Sequence, residues 1–501
     1  MDRRRGAAAG PRRLRGVGGT GRGGCGGRRG HRTHLLLGDH CRRPGGTGRL
    51  AGLRSPFYGL PRPAFASGAP ATFAATCPHR PAGRSHAHRN RRRGTIMSFN
   101  ASPRSECGHP VSRAAARRVA AIAFAAQGAC VAAVYTTVPA VTERLGMAPL
   151  LTTALMVAVA LTAGGGSFLG LAAIRRAGPV ATTRGAMAAA AVALLLIGWA
   201  PGQAAAVCAY VLFGLAVGAL DVGVNTRAAE VERAYGRSVF GSFYTAWSAG
   251  GVVAALLTAG VARLGWPVAG GLALQAGIVL LLVAVMRTHA LPAPRTLADA
   301  GQPSPGRRPW VRLLPFGLVL LVVYVIDSTV SAWSSVYLRQ TLAASLTVAP
   351  LAYAAYQAGT VIGRAAADRL VQNLGAPTVV RGAALLAGSA LAALAAAPSW
   401  PFAVLAAGAV GLGASVLAPL CLASAARLSP TAAEAVLARL NLFNYVGVVT
   451  GGAVSGLLGS TGHFRLAYAV PAALAVLVPA AARHFTRPSN PVRREVVPEA
   501  L

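Results

Sequence analysis

From about residue 116 onward the chain alternates long apolar runs with short polar breaks, and this constrains its fold more than any other feature. A run of ~20 apolar residues crosses a ~30 Å hydrocarbon layer as a helix and is too long for an ordinary strand. We read twelve such spans, at residues 116–141, 150–174, 183–201, 203–226, 239–263, 266–286, 312–337, 344–366, 378–397, 400–426, 432–459 and 463–485. A membrane β-barrel would show strands of about ten alternating residues, and nothing here alternates. The expected fold is therefore an all-α integral membrane protein with twelve transmembrane helices. A hydrophobic share of 54% against 12% charged residues points the same way and excludes an ordinary soluble enzyme.

The formal charge of +36 is the sum of two unlike regions. All 49 basic residues are arginine, and 21 of them lie in residues 1–96 against only Asp2 and Asp39. That stretch is rich in Gly, Arg, Pro and Ala, without helical or strand periodicity, and is expected to be a disordered extension. Its longest apolar run, Leu35-Leu36-Leu37, falls short of a signal-peptide core of about 7–15 residues. Three readings compete for it. An arm for RNA or acidic lipid would explain the arginines but lacks interleaved aromatics. A transit peptide would be amphipathic and serine-rich. The reading we favour is a start assigned too far upstream, with Met97 as the true first residue, so no nucleic-acid partner is expected.

The longest interior break runs from Arg287 to Pro309 and divides the membrane region into two near-equal sets of six spans, which suggests duplication. The expected organisation is a first half over residues 97–286, a central loop over 287–310, a second half over 311–487 and a tail over 488–501. With both termini cytoplasmic, inner segments carry 23 arginines and outer segments four (Arg144, Arg263, Arg339 and Arg465). So large an asymmetry orients the chain, because cytoplasmic loops retain positive charge. The expectation is a multi-pass protein of the cell membrane with both termini cytoplasmic.

Particular residues then carry a resemblance. The segment Gly363-Arg364-Ala-Ala-Ala-Asp368-Arg369, closed by Gly375, resembles the loop motif of the major facilitator superfamily, with one extra residue after the first glycine. Its first-half counterpart, Gly170 to Gly178, keeps Arg175 and Arg176 but has no aspartate. The resemblance implies that Gly363, Arg364, Asp368 and Arg369 form an inner-gate loop between spans 8 and 9. Within that superfamily, Asp221-Val-Gly-Val-Asn225 in span 4 is similar to the fucose–proton symporters and the YbjJ-like bacterial transporters. The pattern Asp327…Trp333-Ser-Ser-Val-Tyr337-Leu-Arg339 in span 7 looks like the YbjJ-like members. Tyr135 stands where fucose symporters carry a second acid, which argues against fucose itself as solute. Drug–proton antiporters carry a Gly-Pro signature in span 5, whereas Ser248-Ala-Gly250-Gly251 here contains no proline.

Asp221 and Asp327 lie within apolar runs, where an aspartate costs about 2.5–3.5 kcal/mol on insertion scales. Each needs a partner inside the bundle, or must spend part of its cycle protonated. A carboxyl that is dry in one conformation and wet in another can take up and release a proton. The alternative for Asp221 is a packing role, paired with Asn225 or Arg227; helical spacing puts Asp221 and Asn225 on one face. Asp327 could instead reach an interfacial partner.

Candidate solute contacts are Gln127, Tyr135, Asn225, Tyr244, Trp247, Trp333, Gln357, Asn441 and Asn444, with Gln275, Tyr324, Tyr353, Tyr356 and Tyr445 as further polar or aromatic residues in apolar surroundings. Amides and phenols beside rings suit a sugar-like ligand, although Tyr and Trp near span ends also serve as interface anchors. Glu230, Glu232 and Arg233 read as inner-loop charges. The chain has no lysine and so no phosphate-binding Gly-Lys loop, and its cysteines form no CxxC pair. No cofactor or metal is expected. The reading is a monomeric secondary transporter, not an enzyme, whose partners are a small polar solute, protons and the lipid bilayer. Alternatives are an exporter of a metabolite or antibiotic and, in another class, a membrane sensor or scaffold that transports nothing.

Overall fold

A computed structural model describes residues 113–236, 239–286, 309–428 and 433–485. The expected N-terminal extension, most of the central loop and the C-terminal tail lie outside the described residues.

The described residues are all helical apart from short turns. In chain order the helices are α1 (Arg113–Leu145), α2 (Pro149–Gly198), α3 (Gln203–Tyr235), α4 (Phe240–Arg263), α5 (Val268–Val285), α6 (Pro309–Gln340), α7 (Pro350–Leu374), α8 (Ala376–Ala396), α9 (Trp400–Ala414), α10 (Leu417–Arg427), α11 (Ala433–Ser460), α12 (Phe464–Ala475) and α13 (Val478–Ala481). Helices prevail because hydrocarbon offers backbone groups no partner, so each segment must satisfy its own. Ten helical segments among the described residues are long and apolar enough to cross a membrane.

The twelve expected spans fall on the described helices. α2 contains spans 2 and 3, joined through Gly178 (φ 80°, ψ 165°) and Pro179. Proline drives its predecessor out of the helical region, and glycine tolerates the positive φ that results. Span 8 is α7, which is long enough to cross but carries Gln357, Arg364, Asp368 and Arg369. Span 10 is α9 and α10 in succession, and span 12 is α12, α13 and a 3-10 turn over Ala482–His484.

The two halves repeat one packing scheme. In the first, α1 packs on α4, the early part of α2 on α3, and the later part of α2 on α5; in the second, α6 packs on α11, α7 on α9, and α8 on α12. Small residues permit these approaches. A Cβ on Gly166 would meet the carbonyl of Leu215, and one on Gly218 that of Ala163, so α2 and α3 run backbone against backbone. Gly411 meets the Tyr356 carbonyl at the matching α7–α9 contact. The halves touch through α1 with α6, α2 with α11, α4 with α7 and, more lightly, α1 with α7. Large apolar side chains such as Phe168 and Leu405 remain exposed on the outside of the bundle, as lipid contact requires.

An even number of crossings puts the start of α1 and the end of the last span on one face, called here the terminus face; the opposite is the far face. The far face is tied shut between the halves. Glu143 at the end of α1 accepts from Arg339 at the end of α6, at 2.5 and 3.2 Å. Thr153 of α2 donates to the Gly456 carbonyl of α11 at 3.0 Å.

Candidate functional site

Polar side chains converge between the halves. On the first half, Gln127 Nε2 of α1 donates to Asp221 Oδ1 of α3 at 3.1 Å. One turn along α3, Asn225 Nδ2 donates to the backbone carbonyl of Asp221 at 2.8 Å, and its Oδ1 accepts from the Tyr244 hydroxyl of α4 at 3.3 Å. Asp221 and Asn225 thus share a face. Tyr244 packs edge-on against Phe124, with 5.6 Å between ring centroids.

On the second half, Tyr356 of α7 donates its hydroxyl to Asp327 Oδ1 of α6 at 2.6 Å. Gln357 Nε2 donates to the Tyr353 hydroxyl at 3.1 Å, and the Tyr353 ring meets Tyr135 of α1 at 6.4 Å between centroids. Tyr353, Gln357, Thr360 and Arg364 recur at helical spacing and so form one polar stripe on α7.

That stripe binds the halves together. Arg364 Nη1 donates to the Tyr244 carbonyl at 2.8 Å and to Ser248 Oγ at 2.9 Å, both on α4. Thr360 Oγ1 donates to the same Ser248 Oγ at 3.0 Å. Ser248 and Thr360 were not among the expected site residues, because a lone hydroxyl in an apolar span is indistinguishable by sequence from one that bonds its own helix.

The remaining candidates lie elsewhere. Trp333 is buried between α6 and α11, donates Nε1 to the Gly452 carbonyl at 2.9 Å and packs on Phe464. Trp247 is half-buried, and its backbone carbonyl lies where a Cβ on Gly128 would fall, at the α1–α4 contact. Asn444 donates to Asn441 at 3.0 Å on an exposed stretch of α11, apart from the bonded cluster. Gln275 donates to Thr258 at 3.2 Å, and Thr258 also bonds Thr136.

The expected inner-gate loop requires correction. Gly363, Arg364, Asp368 and Arg369 are all helical, because α7 continues to Leu374 and ends only at Gly375 (φ 80°). The residues between are good helix formers with no breaker among them, so the helix outlasts its apolar run. Asp368 and Arg369 are exposed on the last turns, whereas Gly363 is buried against Leu412 and Ser415. Glu232 has a role that its reading as an inner-loop charge omits: its Oε2 accepts from the Val239 and Phe240 amides, both at 2.9 Å, at the start of α4.

Tyr244 and Tyr445, from opposite halves, are 42% and 48% exposed.

The Major Facilitator Superfamily model matches residues 47–254 and 316–500. The chain belongs to the Major Facilitator Superfamily. The match begins at residue 47, inside the segment that the sequence reading sets aside. An uncharacterized MFS-type transporter of Yersinia pestis is 28% identical over 285 residues, covering 56% of this chain and 72% of the relative. The membrane protein MosC of Rhizobium meliloti is 27% identical over 295 residues, covering 59% and 72%. Among solved structures, a bacterial homologue of the human lysosomal transporter Spinster, inward-facing and occupied, matches with a TM-score of 0.59 at 13% identity, covering 77% of this chain and all of that one. A mutant of the nucleoside transporter NupG matches with a TM-score of 0.58 at 15% identity, covering 75% and 100%. Members of this superfamily carry small-molecule solutes across membranes, and this chain is such a transporter rather than an enzyme.

Proposed function

We propose that the chain is a proton-coupled secondary transporter of a small polar, sugar-like solute, of the YbjJ-like and fucose-symporter-like branch. It works as a monomer in the cell membrane with both termini in the cytoplasm. The observation that carries the reading is the pair Asp221 and Asp327, one in each half. The hydrogen-bond donors on these carboxylates are neutral side chains, Gln127 on Asp221 and Tyr356 on Asp327. A carboxylate in hydrocarbon whose hydrogen-bond donors are neutral is costly, and proton uptake relieves the cost. A conformational change that alternately wets and dries these groups would couple proton flow to solute movement. The arginine asymmetry supports the orientation, because the terminus face is the basic one. Amides and phenols flanking the two acids supply donors, acceptors and ring faces for a hydroxylated ligand.

The test has two steps. Metabolite pools inside and outside cells lacking the gene identify the solute. Uptake into proteoliposomes under an imposed pH gradient is then compared for wild type and Asp221→Asn. The variant is expected to lose gradient-driven accumulation while retaining solute exchange. Unchanged accumulation would refute proton coupling through Asp221, and a protein that moves no solute in either form would point to a sensor or scaffold.

A further inference from the structure

At the far-face corner between α2 and α3 lies a groove of about 330 Å³, a volume within the range of ligand sites. Leu196, Trp199 and Pro201 line it from the end of α2 and the turn that follows, and Ala205, Cys208 and Leu212 from the start of α3. Its wall is apolar and comes from the first half alone. α3 begins at Gln203, and Leu212 lies nine residues further on, about 14 Å at the helical rise. One leaflet contributes about half of a ~30 Å hydrocarbon core. The groove therefore descends from the membrane surface to near the midplane, the path of an acyl chain.

The surface end of the groove is basic. Arg144, at the end of α1, donates Nη1 to the Gly198 carbonyl and Nη2 to the Ile197 carbonyl, the second at 3.1 Å. These residues lie between Leu196 and Trp199, which line the groove. The carbonyls are ones that a helix end leaves unbonded. They engage the donors of the guanidinium without neutralising its charge, and among the described residues no carboxylate pairs with Arg144. Gln203 ties the same corner together, donating Nε2 to the Leu145 and Gly146 carbonyls at 3.1 and 3.2 Å. Trp199 is exposed beside them, at the level where indoles meet lipid headgroups.

We propose that this corner binds one glycerophospholipid, with an acyl chain in the groove along α3 and the phosphate beside Arg144. A free anion would match the arginine alone, and a plain hydrocarbon the wall alone. Only an amphiphile presents both, charge at the surface and chain below it, in the order in which the corner receives them. The site is built from α1, α2 and α3 and does not depend on the proton-coupled reading.

The test is native mass spectrometry of the full-length protein released from detergent, offered phosphatidylglycerol and a diacylglycerol with the same acyl chains. Wild type is expected to retain one phosphatidylglycerol per chain and about tenfold less diacylglycerol, because the phosphate adds a hydrogen bond between charged groups. Arg144→Gln should lower phosphatidylglycerol occupancy by about tenfold, and Arg144→Lys, which keeps the charge, should retain most of it. Cys208→Trp fills the groove from an exposed position and leaves Arg144 on α2, so it remains informative where Arg144→Gln does not fold. It should remove the bound lipid. Equal retention of the two lipids, or wild-type retention by Cys208→Trp, would overturn the proposal in favour of unspecific contact with the bilayer. A wild-type dimer that Cys208→Trp dissociates would overturn it as well, since a second copy of the chain would then occupy the groove.

Discussion

Trp333 shows how a residue's neighbours override its type. An indole within a polar-flanked span reads as a ligand contact, but its Nε1 is committed to the Gly452 carbonyl and its ring is buried between α6 and α11. We expect Trp333→Phe to cost about 1 kcal/mol of stability by leaving that carbonyl without its donor. Thermal unfolding of the purified protein would show a lower midpoint while KM for the solute stays unchanged; a raised KM at unchanged stability would return Trp333 to the solute site. Asp221 and Asp327 were conspicuous in the sequence because acids are rare in apolar runs. Ser248 and Thr360 were not, since hydroxyls in membrane helices commonly bond the carbonyl one turn back, and only a neighbouring helix makes them otherwise.

At the scale of helices, hydropathy located every span but set several ends too early. It measures where hydrocarbon stops, whereas a helix stops where its backbone is broken. Thus α7 runs on through charged residues to Gly375, and α2 carries spans 2 and 3 in one element kinked at Gly178. The abundance of small residues was legible, but which of them make contacts was not. Gly166 faces the Leu215 carbonyl closely enough that any Cβ displaces backbone, whereas a Cβ on Gly164 meets nothing within 4 Å. Gly166→Leu should therefore abolish stable expression or cost at least about 1–3 kcal/mol by overpacking. Gly164→Ala should be neutral or slightly stabilising. Size-exclusion profiles and melting of the two variants side by side separate the cases, and equal behaviour would refute the backbone contact.

For the whole molecule, the two halves are fastened to one another at the far face. The Glu143–Arg339 pair is one of the fastenings, with side chains 44% and 34% exposed. Exposed ion pairs are worth about 0–1 kcal/mol, so Arg339→Gln should raise the far-face-open population by no more than about fivefold. The exchange Glu143→Arg with Arg339→Glu should restore the wild-type value. Spin-label distances between the far ends of α1 and α6 would measure both, and an unrestored double variant would show that the pair is not the fastening.

The number of crossings, the division into halves, the basic face and the depth of two acids all follow from sequence, because hydropathy and charge act on each segment independently of its neighbours. Lateral partnership does not. It depends on how each helix is rotated about its own axis, and that rotation is decided by which small residues let backbones meet. Tertiary packing alone therefore took Arg364 from an expected loop to α4 of the opposite half, and Glu143 to Arg339 across the far face.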